Sequence, residues 1–238
     1  MNNSERIAVV TGGTKGIGRA TVERFAEEEW SVATCARNEE DLAHLKQDIL
    51  EKYPSSNLHV FQADLSKRTE VDDFAAFIRL LAKPVEILVN NSGVFIPGLV
   101  HEEAEGALEN MINTNLYSAY HLSRALIPDM KREKHGHIFN MCSIASLHAY
   151  PNGGSYSISK FAMHGMSKAL REELKDFGIR VTSVLPGAVK TASWDGVDVP
   201  EERLMKSSDI AETIYATYKL SDRTVVEDIV LRPQLGDL

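Results

Sequence analysis

A tyrosine and a lysine stand four positions apart in the segment Tyr156-Ser-Ile-Ser-Lys160, downstream of Ser143. On a helix this spacing puts the phenol and the ammonium on one face. A free phenol titrates at about pH 10, and a nearby ammonium favours its ionised form. Ser143 can hydrogen-bond a substrate oxygen, and Asn115 can hold a water that connects Lys160 to solvent. This group suits proton exchange with a carbonyl or alcohol oxygen, although a tyrosine–lysine pair alone also occurs on surface helices.

A glycine-rich segment near the start of the chain, Thr11-Gly-Gly-Thr-Lys-Gly-Ile-Gly18, follows an apolar run and precedes a helical pattern. Strand, turn and helix start form the usual pyrophosphate site of a dinucleotide, because helix N–H groups attract phosphate and glycine lets the backbone come close. The spacing differs from the G-x-G-x-x-G pattern, so an ordinary turn is the alternative. The expected cofactor contacts in this turn are Gly12, Thr14, Lys15, Gly16, Ile17 and Gly18.

The end of the second predicted strand indicates which dinucleotide binds. An acidic residue at this point would bind a ribose 2′-hydroxyl. The chain has Ala36 followed by Arg37 instead, and Lys15 can add a second cation. Two cations and no acid favour a 2′-phosphate, and therefore NADP(H) over NAD(H), unless Arg37 is only a solvated loop residue. Glu39 and the glutamate after it are interpreted as first-turn acids of the next helix.

Three later segments complete the expected cofactor site. Asp64 follows the third predicted strand and can bind the adenine amino group, with Leu65 beside the ring; a helix cap is the alternative for this carboxylate. Asn91 and Gly93 follow the fourth strand, where an asparagine amide can tie strand ends together and glycine permits close cofactor approach; a simple turn is the alternative. After the sixth strand, the expected contacts to the nicotinamide are Pro186, Gly187, Val189 and Thr191. Tyr156 and Lys160 are also expected to contact the cofactor, and Lys160 can hold the nicotinamide ribose.

Apolar β-type runs alternate with helical patterns along the whole chain. The predicted strands are Ile7–Val10, Ser31–Ala36, Asn57–Ala63, Val85–Asn90, His137–Cys142, Arg180–Leu185 and Val225–Leu231. The predicted helices are Ile17–Glu29, Glu39–Tyr53, Arg68–Ala82, Thr114–Lys134, Ser155–Phe177 and Asp209–Leu220. This alternation predicts an α/β fold with a doubly wound parallel sheet and helices on both faces. We expect one domain over residues 1–238, with a variable substrate lid at about 187–207.

Composition narrows the class of protein. The 238 residues are 43% apolar and 25% charged, with a net charge of -8, which disfavours nucleic acid and anionic membranes as partners. No apolar run approaches the ~18 residues of a membrane span, and the start has no signal-peptide core. We therefore expect a cytoplasmic protein, with Cys35 and Cys142 as buried free thiols. The eight histidines show no ligand spacing, so we expect no metal.

The chain resembles the short-chain dehydrogenase/reductase family over nearly its whole length. The resemblance is carried by Thr11-Gly-x-x-x-Gly-x-Gly18, Asp64, Asn90-Asn-x-Gly93, Asn115, Ser143, Tyr156-x-x-x-Lys160 and Pro186-Gly187. It implies a seven-stranded Rossmann sheet and hydride exchange between NADP(H) and a small carbonyl or alcohol. It also implies pro-S transfer, homodimers or homotetramers joined by helices, and a catalytic tetrad of Asn115, Ser143, Tyr156 and Lys160. Ser92 departs from the family's usual alanine.

The substrate side is less specific. The lid and the C-terminal tail are similar to bacterial sepiapterin-reductase-like members, whereas 3-oxoacyl-carrier-protein reductases usually end in a glycine-rich segment that is not found here. Trp194 can stack on a flat ring such as a pterin or simply pack within its loop. Asp195 or Asp237 can bind an amino-pyrimidine edge, with a solvated tail as the alternative for Asp237. The other expected pocket walls are Phe95, Ile96, Leu147 and Tyr150. A 3-oxoacyl-thioester reductase and a non-catalytic NADPH-binding regulator remain alternatives.

Overall fold

Seven parallel strands form one sheet in the order β3-β2-β1-β4-β5-β6-β7. The computed structural model describes residues 3–194 and 196–237, apart from the side chain of Ser193. The strands in chain order are β1 (Ile7–Thr11), β2 (Ser31–Ala36), β3 (Asn57–Gln62), β4 (Val85–Asn90), β5 (Gly136–Met141), β6 (Ile179–Pro186) and β7 (Asp228–Leu231). The predicted doubly wound, seven-stranded parallel sheet is confirmed.

Helices connect the strands and cover both faces of the sheet. They are α1 (Gly16–Glu27), α2 (Glu39–Lys52), α3 (Arg68–Leu80), α4 (Ala107–Met111), α5 (Ser118–Glu133), α6 (Gly154–Leu174) and α7 (Ser207–Tyr218). None of the helices in the described part of the chain is both long and apolar enough to span a bilayer. The N-cap Asn38 accepts a hydrogen bond from the N–H of Asp41, and acidic residues fill the first turn of α2, as expected for Glu39 and Glu40.

The side chains of β1 show how one strand builds two cores. All five of its residues are buried. Ile7 and Val9 join the core that packs under α3 and α5, while Ala8 and Val10 join the core under α1 and α7. Successive side chains of a strand point to opposite faces, so an uninterrupted apolar run suits a sheet covered on both sides. Cys35 and Cys142 are buried free thiols, as predicted.

Strand order reverses between β1 and β4, and this position opens a cleft at the carboxyl ends of the strands. The first crossovers from β1 lead outward to β2 and β3, whereas the later ones lead the other way. The loops after β1 and β4 therefore separate, as at the ligand-binding edge of other open α/β sheets. The cleft has a volume of about 1170 Å³.

Two elements differ from their predicted form. The helix predicted over Thr114–Lys134 begins earlier, at Ala107, and passes through a π-helical segment, Ile112–Tyr117, before α5. Periodicity of 3.6 residues does not detect a wider helical turn. The last strand is only Asp228–Leu231, shorter than predicted. The residues before it still bond to β6, since the Ser183 N–H donates to the carbonyl of Glu227 at 2.9 Å.

Candidate active site

The cleft collects nearly all of the predicted site residues. Ser143, Tyr156 and Lys160 line it, together with the expected cofactor contacts Gly12, Thr14, Lys15, Gly16, Ile17, Gly18, Arg37, Asp64, Leu65, Asn91, Gly93, Pro186, Gly187, Val189 and Thr191. Asn115 lies behind the cleft wall and is fully buried. Segments distant in sequence meet here because parallel strands end at the same edge of the sheet.

The glycine-rich turn joins β1 to the start of α1. No side chain of the described residues caps the first N–H groups of α1, whose N-cap is Lys15. A Cβ atom on Gly18 would stand 2.1 Å from the carbonyl oxygen of Gly12, so only glycine allows this close approach of helix and strand. Uncapped N–H groups at a helix start attract anions. The turn therefore fits a pyrophosphate.

The two predicted cations, Arg37 after β2 and Lys15 in the glycine-rich turn, differ in their contacts. Arg37 is exposed, and its guanidinium makes no hydrogen bond or ion pair with any described residue. Lys15 Nζ pairs with Asp41 Oδ2 at 2.8 Å. Asp41 itself lines the cleft, and sequence analysis missed it because its place in the first turn of α2 gave it a purely local role. The site has a free guanidinium for a phosphate and an acid that competes for Lys15.

Asp64 lies where the third strand ends. Burial raises its pKa, but hydrogen bonds from the Ser66 hydroxyl (2.8 Å) and N–H (3.1 Å) outweigh that effect, so the pKa is below its ordinary value. The N-cap of α3 is Lys67, and Asp64 therefore caps the turn before the helix instead of the helix itself. Contact with an adenine amino group remains a prediction.

Asn91 ties the ends of β1 and β4 together. Its side-chain amide donates to the carbonyl of Thr11 at 2.9 Å, as expected for an asparagine at this position. The Thr11 hydroxyl in turn accepts from the N–H groups of Asn91 and Ser92, each at 2.9 Å. These bonds hold the floor of the cleft at the point where strand order reverses.

Ser143, from the loop after β5, and Tyr156, from α6, face each other. Ser143 begins a 3-10 turn, Ile144–Ser146, and its Oγ accepts from the N–H of Ala145 at 3.1 Å. Tyr156 lies in the first turn of α6. Burial raises the pKa of Tyr156 to about 12, against the opposing effect of a hydrogen bond with Ser143. The phenol is thus protonated at neutral pH, and the expected net decrease of its pKa is not found because burial dominates.

Lys160 lies one helical turn after Tyr156 and is buried. Its Nζ donates to the carbonyl of Met141 at 2.6 Å and lies 5.7 Å from the centroid of the Tyr156 ring. Burial lowers the pKa of Lys160 to about 8. Since desolvation disfavours a charged ammonium, burial dominates over any mutual effect of the two groups.

Asn115 connects the π-helical segment to the loop after β4 and to α6. Its Oδ1 accepts from the N–H of Val94 at 2.7 Å, and its Nδ2 donates to the carbonyl of Val94 (3.0 Å) and to Ser159 Oγ (2.9 Å). Both N–H donors and one position on the oxygen are therefore engaged by protein atoms. A water link from Lys160 through this amide remains a prediction.

Among the residues predicted to contact substrate, those that line the cleft include Phe95, Ile96, Tyr150 and Trp194. The Phe95 and Tyr156 rings meet edge to face, with centroids 5.0 Å apart. Leu147 does not line the cleft: it follows the 3-10 turn, is 44% exposed, and the next residue, His148, takes the predicted place. The sequence could not resolve this one-residue difference, because a 3-10 turn rotates side chains differently from a strand.

The C-terminal tail also reaches the cleft. Asp237 lines it and pairs with Arg232 Nη1 at 2.5 Å. Arg203, from the segment predicted to be a lid, donates to the carbonyl of Asp237 at 3.3 Å. An isolated β-bridge between Val189 and Met205 joins the two ends of that segment. The proposed role of Asp195 lies outside the described residues.

A sequence profile of the short chain dehydrogenase family matches residues 6–201. The match spans most of the chain and includes the glycine-rich turn, Ser143, Tyr156 and Lys160. The protein belongs to the short-chain dehydrogenase family. Within that family it is similar to a sepiapterin reductase from Chlorobaculum tepidum, at 32% identity over 242 residues and 98% of each chain.

Solved structures agree with this assignment. An alcohol dehydrogenase from the archaeon Thermococcus sibiricus, complexed with 5-hydroxy-NADP, has a TM-score of 0.89 at 26% identity and covers 96% of this chain and 97% of its own. An NADPH-bound short chain oxidoreductase from Pseudomonas aeruginosa PAO1 also has a TM-score of 0.89 at 26% identity, over 99% and 98% of the two chains.

Proposed function

We propose that this protein uses NADPH to reduce a small or medium-sized carbonyl compound to an alcohol. The observation that carries the proposal is that Ser143, Tyr156 and Lys160 line the same cleft as the glycine-rich turn. The residues that can donate a proton and the turn that can bind a dinucleotide therefore lie in one site, where both can serve a single bound substrate. The related alcohol dehydrogenase and oxidoreductase, solved with an NADP derivative and with NADPH, support the choice of cofactor.

Arg37 and the start of α1 would hold the cofactor's two anionic groups, its 2′-phosphate and its pyrophosphate. The uncapped N–H groups of α1 suit the pyrophosphate, and the free guanidinium of Arg37 suits a 2′-phosphate in bidentate geometry. The partly exposed Ala36 at the tip of β2 leaves no carboxylate there to select a 2′-hydroxyl. We therefore propose a preference for NADPH over NADH.

Tyr156 acts as the proton donor in this scheme. A bound reduced nicotinamide supplies the hydride to the carbonyl carbon. Ser143 hydrogen-bonds the substrate oxygen, and Tyr156 gives its phenolic proton to that oxygen as negative charge develops on it. A phenol with a pKa of about 12 is protonated at neutral pH and is in the right form for reduction. The Lys160 ammonium stabilises the phenolate that remains and returns a proton to it.

A pterin side-chain ketone is the specific substrate candidate. Trp194 offers a face for a flat ring, and the Asp237 carboxylate lies in the same cleft, where it can accept from an amino-pyrimidine edge. The relative from Chlorobaculum tepidum carries the name sepiapterin reductase. An apolar oxoacyl thioester has no amino edge to donate to the Asp237 carboxylate, which already accepts from Arg232, so this contact favours a pterin over a 3-oxoacyl thioester.

The test is NADPH consumption, followed spectroscopically, over a panel of diketones, pterins, quinones, sugars and oxoacyl thioesters. We expect turnover with at least one carbonyl class, and sepiapterin to be reduced faster than an acetoacetyl thioester. The control is Tyr156→Phe, which should abolish turnover while leaving NADPH binding intact. A wild-type protein that binds NADPH and reduces nothing in the panel would instead support a non-catalytic, cofactor-binding regulator.

We further propose that the protein self-associates through α5 and α6. These helices expose Tyr120 (39%) and Phe161 (46%), and Ile158 of α6 is 42% exposed. Apolar groups of this size on adjacent helices suit a symmetric helical interface. Light scattering should give a dimer or tetramer, and Phe161→Glu should shift the mass toward the monomer.

A further inference from the structure

A carboxylate from a distant loop caps the helix that carries Tyr156. Glu103 lies between β4 and α4, and its Oε1 accepts from the N–H of Ser155 at 2.8 Å. Its Oε2 accepts from the Ser155 hydroxyl. The N-cap of α6 is Gly153, which has no side chain to satisfy the first N–H groups. Glu103 supplies that cap across 52 positions of sequence.

The carboxylate fits closely against two glycines. A Cβ atom on Gly154 would stand 2.1 Å from Glu103 Oε1, and one on Gly98 would stand 2.6 Å from Glu103 Cγ. Any larger residue at either position would displace Glu103. The contact is therefore enclosed on two sides and differs from a loose surface contact.

The segment 94–103, here called the wall segment, has two further attachments. The Gly98 N–H donates to the carbonyl of Asn152 at 3.1 Å, and Gly98 forms a β-bridge with Gly153. At the other end, Asn115 binds both the N–H and the carbonyl of Val94. Glu103 attaches the C-terminal end of the wall segment to α6 through Ser155.

The wall segment forms part of the cleft wall beside Tyr156. Phe95 and Ile96 line the cleft, and the Phe95 ring packs edge to face against the Tyr156 ring. The distance between this wall and the phenol therefore depends on how the wall segment is fixed to the start of α6. Misplacement by about 1 Å at such a position is enough to reduce turnover about 100-fold.

We propose that Glu103 is a positioning residue for the reaction. By binding Ser155 it fixes the wall segment against α6, and so sets the spacing of Phe95 and Tyr156 around the substrate carbonyl. Glu103 does not line the cleft and acts through Ser155. This inference rests on the proposed carbonyl reduction at Tyr156.

The test compares Glu103→Ala and Glu103→Gln with Glu105→Ala. Glu105 is exposed in the same loop and carries the same charge, so it is the matched control. We expect Glu103→Ala to raise KM for the carbonyl substrate about tenfold and to lower kcat, with the NADPH dissociation constant changed less than about twofold. A glutamine can accept from the Ser155 N–H and donate to the Ser155 hydroxyl, so Glu103→Gln should stay within about threefold of wild type.

Two further measurements test the role of Glu103 if the alanine variant does not fold or if the protein shows no activity. If Glu103→Ala does not fold, Gly98→Ala displaces Glu103 by contact and should raise KM in the same direction. Hydrogen exchange of residues 94–103 needs no activity, and it should be faster in Glu103→Ala than in Glu105→Ala. Wild-type KM in the folded alanine variants, with unchanged exchange, would overturn the proposal. A wild-type protein without activity would refute the proposed function, while exchange would still decide the role of Glu103.

Discussion

The Lys160 ammonium lies 5.7 Å from the centroid of the Tyr156 ring while it donates to the carbonyl of Met141 at 2.6 Å. Burial has the largest effect on the pKa of each of these two groups. It raises the pKa of Tyr156 to about 12 and lowers the pKa of Lys160 to about 8. Of these two groups, Lys160 is the one whose charge changes near physiological pH.

This relationship predicts an alkaline decrease in reduction. As pH rises through about 8, Lys160 loses its proton and can no longer stabilise the Tyr156 phenolate. We expect kcat/KM for NADPH, which reports the free enzyme, to fall about tenfold for each pH unit above that value. A pH profile of NADPH oxidation measures it. Lys160→Arg keeps its charge, so an identical decrease in a folded, active Lys160→Arg variant would contradict the assignment.

The same burial predicts a gain in stability when the charge is removed. The unfolded chain holds the Lys160 proton up to the ordinary pKa of 10.5, whereas the folded protein holds it only up to about 8. Stability contributed by this group therefore rises with pH between those values, and at pH 7 the buried charge costs on the order of 3 kcal/mol. Lys160→Met loses the hydrogen bond to Met141, worth about 1 kcal/mol.

Thermal unfolding should therefore give a higher Tm for Lys160→Met than for wild type at pH 7, together with lost activity. The difference should shrink by pH 10, where the wild-type lysine is neutral. A variant that is less stable than wild type at pH 7 and gains on wild type at pH 10 would contradict the prediction.

Cofactor choice should depend most on Arg37. Arg37→Asp removes the free guanidinium and adds a carboxylate that repels a 2′-phosphate and can bind a 2′-hydroxyl. We expect kcat/KM for NADPH to fall about 10- to 100-fold, with NADH use increased. Comparable turnover of the wild type with NADH and NADPH would refute the proposed preference.

Removing the charge of Asp41 should have the opposite effect and strengthen NADPH binding. It pairs with Lys15 at 2.8 Å, so Asp41→Asn releases a second cation at the same end of the cleft. Because exposed ion pairs are weak, we expect NADPH to bind about two- to fivefold more tightly, with NADH unchanged. Fluorescence titration of both nucleotides measures this, and equal changes for both would show that Lys15 lies away from the 2′ position.

A buried ion cluster at the opposite edge of the sheet should make stability depend on pH. Glu86 accepts hydrogen bonds from His135 at 2.6 Å and from Tyr218 at 2.9 Å. The hydrogen bond to Glu86 raises the pKa of His135 above its ordinary 6.5. The stability from this pair is therefore fully present below pH 6.5 and is lost as pH rises through the folded pKa.

His135→Gln should thus lower Tm most at pH 6 and least at pH 8.5. His44 is exposed, and His44→Gln is the matched control. A deficit for His135→Gln that is constant over this range would mean that the charge of His135 contributes nothing.

The strands and the general location of the cleft could be predicted because they follow from local patterns. The run Ile7–Val10 is apolar on both faces, and parallel strands must end together, so Ser143 and the glycine-rich turn had to meet. Contacts between residues that are far apart in the sequence follow no local pattern and could not be predicted. Neither the Asp41–Lys15 pair nor the Glu103–Ser155 contact has a spacing that a sequence reveals.

The pKa of Tyr156 could not be predicted either. Spacing shows that Lys160 is near, but it does not show how much water the two groups lose. Desolvation depends on the enclosing walls, including Phe95 and Met141, which come from separate segments of the chain.

The π-helical segment Ile112–Tyr117 matters for anyone who engineers this protein. Removing one residue there would turn the wide turn into regular α-helix and improve its hydrogen-bond geometry. The same deletion would rotate one part of the helix by about 100° relative to the other. Asn115 would then lose its register with Val94 and Ser159. A variant stabilised by making this segment a regular helix would lose the hydrogen bonds that hold Asn115 behind the cleft. Substitutions for stability should therefore be made in other helices.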